Sequence, residues 1–203
     1  MITKWIFVVS FCLSLGVTAQ VSTVLKNNYL DFFMATTTFG IEQNIKNIFS
    51  VQALVGYTYS ERFNIYEARN LRGGVIDVQL RRYIIPGKQQ NLSHAYIAAA
   101  FVHRFASYFT DEWYSMNNQT VVIRDVKAKA GYFSFGGIVG YQLSLLKRKL
   151  LWDNYIGVCG RIGSGYNKAK RGVVYYQPDN MVFELAYSGI APKFGTALCI
   201  VIR

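Results

Sequence analysis

From about residue 20 to Arg203 the chain repeats one unit: a run of alternating apolar and polar residues, then a break at Gly, Asn, Asp or Lys. Strict alternation is the period of a β-strand whose two faces meet different surroundings. A chain written almost wholly in this period has few folds open to it. The expected one is a single sheet closed into a barrel.

The unit is preceded by a different kind of segment. Lys4 supplies a positive charge, Trp5 to Val17 is apolar, and Val17-Thr18-Ala19 has the small residues of a leader-peptidase site. Residues 1–19 therefore read as a secretory signal peptide, with residues 20–203 as one domain. The apolar run is too short to cross a bilayer as a helix, and no later segment has 18 consecutive apolar residues. Cys12 lies within the apolar run and not after a cleavage site, which argues against a lipoprotein.

Eight strands can be read: Val21 to Phe32, Thr37 to Ile45, Phe49 to Ser60, Gly74 to Ile85, His94 to Tyr108, Asp125 to Leu143, Leu150 to Tyr166 and Pro192 to Arg203. Gly136-Gly137 inside the sixth suggests a β-bulge. The intervening segments alternate in length from the second onward. Lys46 to Ile48, Pro86 to Ser93 and Ser144 to Lys149 are short; Glu61 to Gly73, Phe109 to Arg124 and Asn167 to Ala191 are long. Short turns at one end and long loops at the other, with an even strand number, are the pattern of a bacterial outer-membrane barrel.

Each strand sorts its residues onto two faces. Ile76, Val78 and Leu80 oppose Asp77, Gln79 and Arg81; Ile156, Val158 and Ile162 oppose Asp153, Tyr155 and Arg161; Phe194, Leu198, Ile200 and Ile202 share one side of the last strand. Periodicity alone does not say which face points inward. A soluble lipocalin-like barrel would turn the apolar face in, and a membrane barrel would turn it out. The 15 Tyr, 14 Phe and 3 Trp favour the membrane, since many stand near strand ends (Phe32, Tyr59, Tyr83, Tyr108, Phe109, Trp152, Tyr166, Phe194), where interfacial girdles form. The expected fold is all-β: an eight-stranded antiparallel up-and-down transmembrane β-barrel in the cell outer membrane. Its lumen would carry a charge network of Glu42, Asp77, Arg81, Arg104, Lys127, Lys129, Asp153 and Arg161.

Several segments resemble a known family. Lys26-Asn27-Asn28, then Thr36-Thr37-Thr38-Phe39-Gly40-Ile41-Glu42, then Phe49-Ser50-Val51 resemble the opening of small, uncharacterised outer-membrane barrels of Bacteroidota-type bacteria. Arg82-Tyr83 resembles their Arg-Tyr-Trp strand, with Ile84 in place of Trp. Gly140-Tyr141-Gln142 and Leu150 to Gly160 resemble their penultimate hairpin, and Pro192-Lys193-Phe194-Gly195 the start of their last strand. The motifs keep their order over most of residues 20–203. The resemblance implies an OmpA-like barrel architecture and no defined activity.

The chain carries 22 basic against 11 acidic residues, a net charge of +11. Nucleic acid is a poor partner for an exported chain with no recognition motif. Outer-membrane lipid, including lipopolysaccharide phosphate, fits the charge better. Lys168, Lys170, Arg171, Tyr175 and Tyr176 in the last long loop form a candidate outer-surface contact.

Catalytic, metal and cofactor sites are not expected. His94 and His103 are the two histidines and have no ligand-like spacing. Ser107 follows His103 on the same face, but four residues of strand put them about 13 Å apart. Cys159 and Cys199 share the inward face of neighbouring strands. A register setting Arg203 beside Tyr155 would juxtapose them as a disulfide; otherwise they are small lumen-filling thiols. The favoured function is a non-enzymatic, monomeric outer-membrane barrel with a structural or surface-interaction role. The alternatives are a narrow passive pore, a lipid-modifying barrel enzyme and a soluble lipocalin-like binder.

Overall fold

A computed structural model describes residues 23–29, 31, 35–46, 48–63, 68–84, 95–116, 119–145, 149–169, 172–174 and 188–202. Residues 1–19, expected to be a leader, with Cys12, and Phe32, His94, Lys170, Arg171, Tyr175 and Tyr176 lie outside the described residues.

The strands are β1 (Thr23–Asn28), β2 (Thr36–Lys46), β3 (Phe49–Phe63), β4 (Ala68–Tyr83), β5 (Ala95–Met116), β6 (Gln119–Leu145), β7 (Leu150–Ala169), β8 (Gly172–Val174) and β9 (Gly189–Ile202). Each of β1 to β7 pairs antiparallel with the next. Strand β9 bridges β7 and β1, so the sheet closes on itself as an eight-stranded barrel. The three-residue β8 pairs with the far end of β7 and stands outside the count.

Two expectations about connections are corrected. Phe109 to Arg124 is not a loop: β5 and β6 stay paired out to Met116↔Gln119. Glu61 to Gly73 is likewise mostly strand, with Phe63 opposite Ala68. The reason is local. Trp113-Tyr114 and Val121-Val122-Ile123 are strong strand formers, and pairing satisfies backbone groups that a loop would leave to water. Strands β5 and β6 have 22 and 27 residues and stay paired with each other beyond the last β6–β7 pair, Lys127↔Lys168, so they project as a hairpin.

The bulge expected at Gly136-Gly137 is absent. Pairing runs in register through both glycines on both sides. The register shifts lie at Asn44/Lys46, Arg69/Arg72 and Thr110/Glu112 instead. Gly136 is a close approach: a Cβ there would collide with the Val158 carbonyl and Cys159. Gly140 does the same for Tyr96, whose ring covers the site a side chain would fill. Small inward residues (Ala98, Ala100, Gly140) thus make room for bulky ones (Arg81, Tyr96, Tyr155) across a narrow lumen.

The faces follow the alternation. Asp77, Gln79 and Arg81 are buried inside, with Val78 and Leu80 exposed outside; Asp153 and Tyr155 are inside, with Ile156, Val158 and Ile162 outside. Tyr83 is an exception to the girdle reading. It is buried and points inward, because it shares the parity of Arg81.

Candidate functional site

Among the described residues, the lumen gathers charged side chains that pair with one another. At the turn end, Lys26 of β1, Glu42 of β2, Arg81 of β4 and Asp153 of β7 meet. No two of these four are closer in sequence than 16 residues, yet each sits at an inward parity position of its strand. Asp153 Oδ2 accepts from Lys26 Nζ and from Arg81, both at 2.6 Å. Glu42 Oε2 ion-pairs with Lys26 and accepts from Arg81 at 3.2 Å.

The remaining oxygens are also occupied. Tyr83 and Ser50 donate to Glu42 Oε1, Gln142 donates to Glu42 Oε2 at 3.0 Å, and Tyr96 donates to Asp153 Oδ1 at 2.8 Å. Gln79 Oε1 accepts two bonds from the Arg81 guanidinium, which lies 4.2 Å from the Tyr96 ring centroid. Two cations against two carboxylates make the layer neutral. Buried charge is tolerated when paired and fully hydrogen-bonded, and that condition is met here. Arg81, Gln142 and Asp153 are each 0% exposed, so this layer packs tightly across the lumen.

Above it lies a thinner layer. Lys193 of β9 pairs with Asp77 at 2.6 Å and sits 5.7 Å from the Tyr155 ring centroid; Asn28 donates to the Tyr155 hydroxyl at 3.2 Å. Nearer the hairpins, Arg104 donates to Thr36 and to Asp31, both at 3.1 Å, and Thr36 meets Thr58 at 2.7 Å. Asp31 stands in the connection from β1 to β2. Burial raises its carboxyl above the usual Asp value, and the pull of Arg104 only partly offsets this. Arg161 lies over the Tyr132 ring at 3.9 Å. The wall around this end is largely apolar: Leu71, Val75, Val126, Ala128 and Ala130 all point in and are buried.

Of the expected lumenal charges, Glu42, Asp77, Arg81, Arg104 and Asp153 are buried inside. Lys127 and Lys129 are not. They are exposed on the outward face, because unbroken pairing gives them the parity of Phe133 and Phe135, not that of Val126 and Ala128. Lys26, Lys193 and Asp31 were missed. Alternation with Leu25 and Phe194 was the signal for the first two; Asp31 lies off a strand and had none. Lys168 belongs to β7 and pairs across to Val173.

His103 faces outward, stacked on Phe133 at 4.0 Å between ring centroids, with Nδ1 3.2 Å from the Tyr132 carbonyl oxygen. Cys159 and Cys199 are buried free thiols. The register sets Cys159 opposite Ala191 and Cys199 opposite Leu151, eight positions apart along the strand pair, so the juxtaposing register is corrected. Among the described residues no group of three His, Cys, Asp or Glu could hold a metal ion.

No family model, no curated protein and no solved structure matches the chain. The fold itself defines the class: a closed eight-stranded antiparallel β-barrel with a buried, charge-neutral ionic layer in its lumen.

Proposed function

We propose that this chain is a non-enzymatic outer-membrane β-barrel, a rigid plugged scaffold that presents its hairpins for structural or surface contacts. The observation that carries the reading is the outward face. Phe39, Val55, Phe101, Phe105, Leu80, Phe133, Phe135, Val139, Ile156, Ile162, Phe194 and Ile200 are exposed around the wall, Phe135 at 67% and Ile162 at 75%. A soluble monomer rarely shows so continuous an apolar belt, whereas lipid demands one. Within the wall every barrel strand pairs with two neighbours, which is the condition for strands to cross hydrocarbon.

The inside-out arrangement weighs against a soluble barrel with an apolar ligand, because the lumen holds ion pairs. The sealed layer weighs against a steady pore. The apolar leader and the net positive charge suit export to a surface rich in anionic lipid. Gel mobility in SDS before and after boiling tests the reading. A membrane-embedded barrel runs as a compact band that shifts on boiling; recovery in the soluble fraction with no shift sinks the proposal.

A further inference from the structure

We propose that the outward face of β4 to β6, at the hairpin end of the apolar belt, holds the phosphates of a phosphorylated membrane lipid. The inference rests on the membrane reading above and adds a site to it.

Cross-strand register builds the site. One row runs Tyr59↔Arg72↔Ser107↔Lys129, and the next toward the hairpins runs Arg69↔Phe109↔Lys127. Arg72, Lys127 and Lys129 are exposed on the outer wall. One row toward the turns stand Tyr57, Gly74, Phe105 and Gly131, and beyond them Val55, Ile76, His103, Phe133 and Ile162. The cations therefore form a ledge directly above apolar and aromatic wall. Glu61 sits on the β3 side of the ledge, where it accepts from Tyr59 at 3.4 Å.

Spacing suits the ligand. Neighbouring strands lie about 4.8 Å apart, so Arg72 and Lys129 are separated by roughly 10 Å, and Lys127 and Lys129 by roughly 7 Å along β6. Side chains of that length converge on one phosphate or span two on a sugar head group. The Arg72 guanidinium lies 5.9 Å from the Tyr59 ring centroid, a stacking that orients its fork. A guanidinium grips two phosphate oxygens at once, and the ammonium groups add point charge. A lipid alone offers anionic oxygens immediately above acyl chains, which would lie along Phe105, Phe133 and Ile162.

The test uses the purified protein in phosphatidylcholine nanodiscs carrying either lipid A, a bisphosphorylated glucosamine lipid, or the same lipid with its phosphates removed. Native mass spectrometry reads which lipid stays bound. The expected result is retention of the phosphorylated form at least about tenfold above the other, from roughly fivefold per cation engaged. Replacing Arg72, Lys127 and Lys129 together by Ala abolishes the preference, and Arg82→Ala with Lys149→Ala keeps it. Equal retention of the two lipids by the unaltered protein overturns the proposal without recourse to any variant, and so does a preference that survives the triple replacement. A protein that stays soluble and does not shift on boiling overturns the membrane reading itself.

Discussion

The two ends of the lumen are built differently. At the turn end, Lys26, Glu42, Arg81 and Asp153 are buried, mutually paired and surrounded by donors from Tyr83, Tyr96, Ser50 and Gln142. Among the described residues at the hairpin end, buried Arg104 pairs with Asp31, whose side chain is 22% exposed, and ties a connection to the wall amid Leu71, Val75 and Val126. The first arrangement is all-or-none: each charge is tolerable only while its partners stay. The second tolerates loss of Arg104 better, because the Asp31 side chain left behind is partly exposed. The lumen is thus sealed by its ionic end and merely braced at the other.

The largest expected effect separates them. Arg81→Ala leaves Glu42 and Asp153 buried with Lys26 alone to balance them. It should cost about 3–5 kcal/mol in denaturant unfolding followed by tryptophan fluorescence, while Arg104→Ala should cost clearly less. The same variant tests the seal. The unaltered barrel should carry no steady ion current across a planar bilayer, and Arg81→Ala should admit one. A loss below about 1 kcal/mol, as for an exposed pair, would erase the distinction between the two ends.

A smaller effect probes how the sealed end is held. Gly140→Ala pushes a methyl group into the Tyr96 ring, which anchors Asp153. Overpacking of this kind costs about 1–3 kcal/mol. A neutral outcome would mean that Tyr96 can move without disturbing the ionic layer.

The smallest effect is at Asp31. Asp31→Asn should change stability by no more than about 1 kcal/mol at neutral pH, and its signature is in the pH profile. The folded-state carboxyl is raised above its unfolded value, so the folded state binds the proton more readily. The stability Asp31 contributes is full below its unfolded pKa and is lost as pH rises through the folded one. Wild type should therefore gain on the Asn variant as the medium is acidified through that window. Parallel profiles would show that Asp31 is not held as the structure has it.

Much of this was legible in the chain. Asp77, Arg81 and Asp153 could be assigned to one face and Val78, Leu80 and Ile156 to the other, because a period of two is a property of each strand by itself. Eight strands could be placed, since the breaks between alternating runs are local too. The hairpin extensions are hard to read in the sequence because charged and amide residues such as Asp111, Glu112, Asn117 and Asn118 interrupt the strand formers. Charge alone points Lys127 and Lys129 into the lumen; their parity with Phe133 and Phe135 points them out.

What the sequence by itself determined is the alternation, hence strand faces and an all-β chain of barrel length. Only the tertiary structure decided the partners: that Lys26 meets Asp153, that Cys159 and Cys199 stand apart, and that Arg72 and Lys129 share a row. The physical reason is register. Sliding one strand by two residues keeps every side chain on its face but changes every neighbour. No single strand carries that information; it is set when all eight close together around side chains that must fill one narrow lumen.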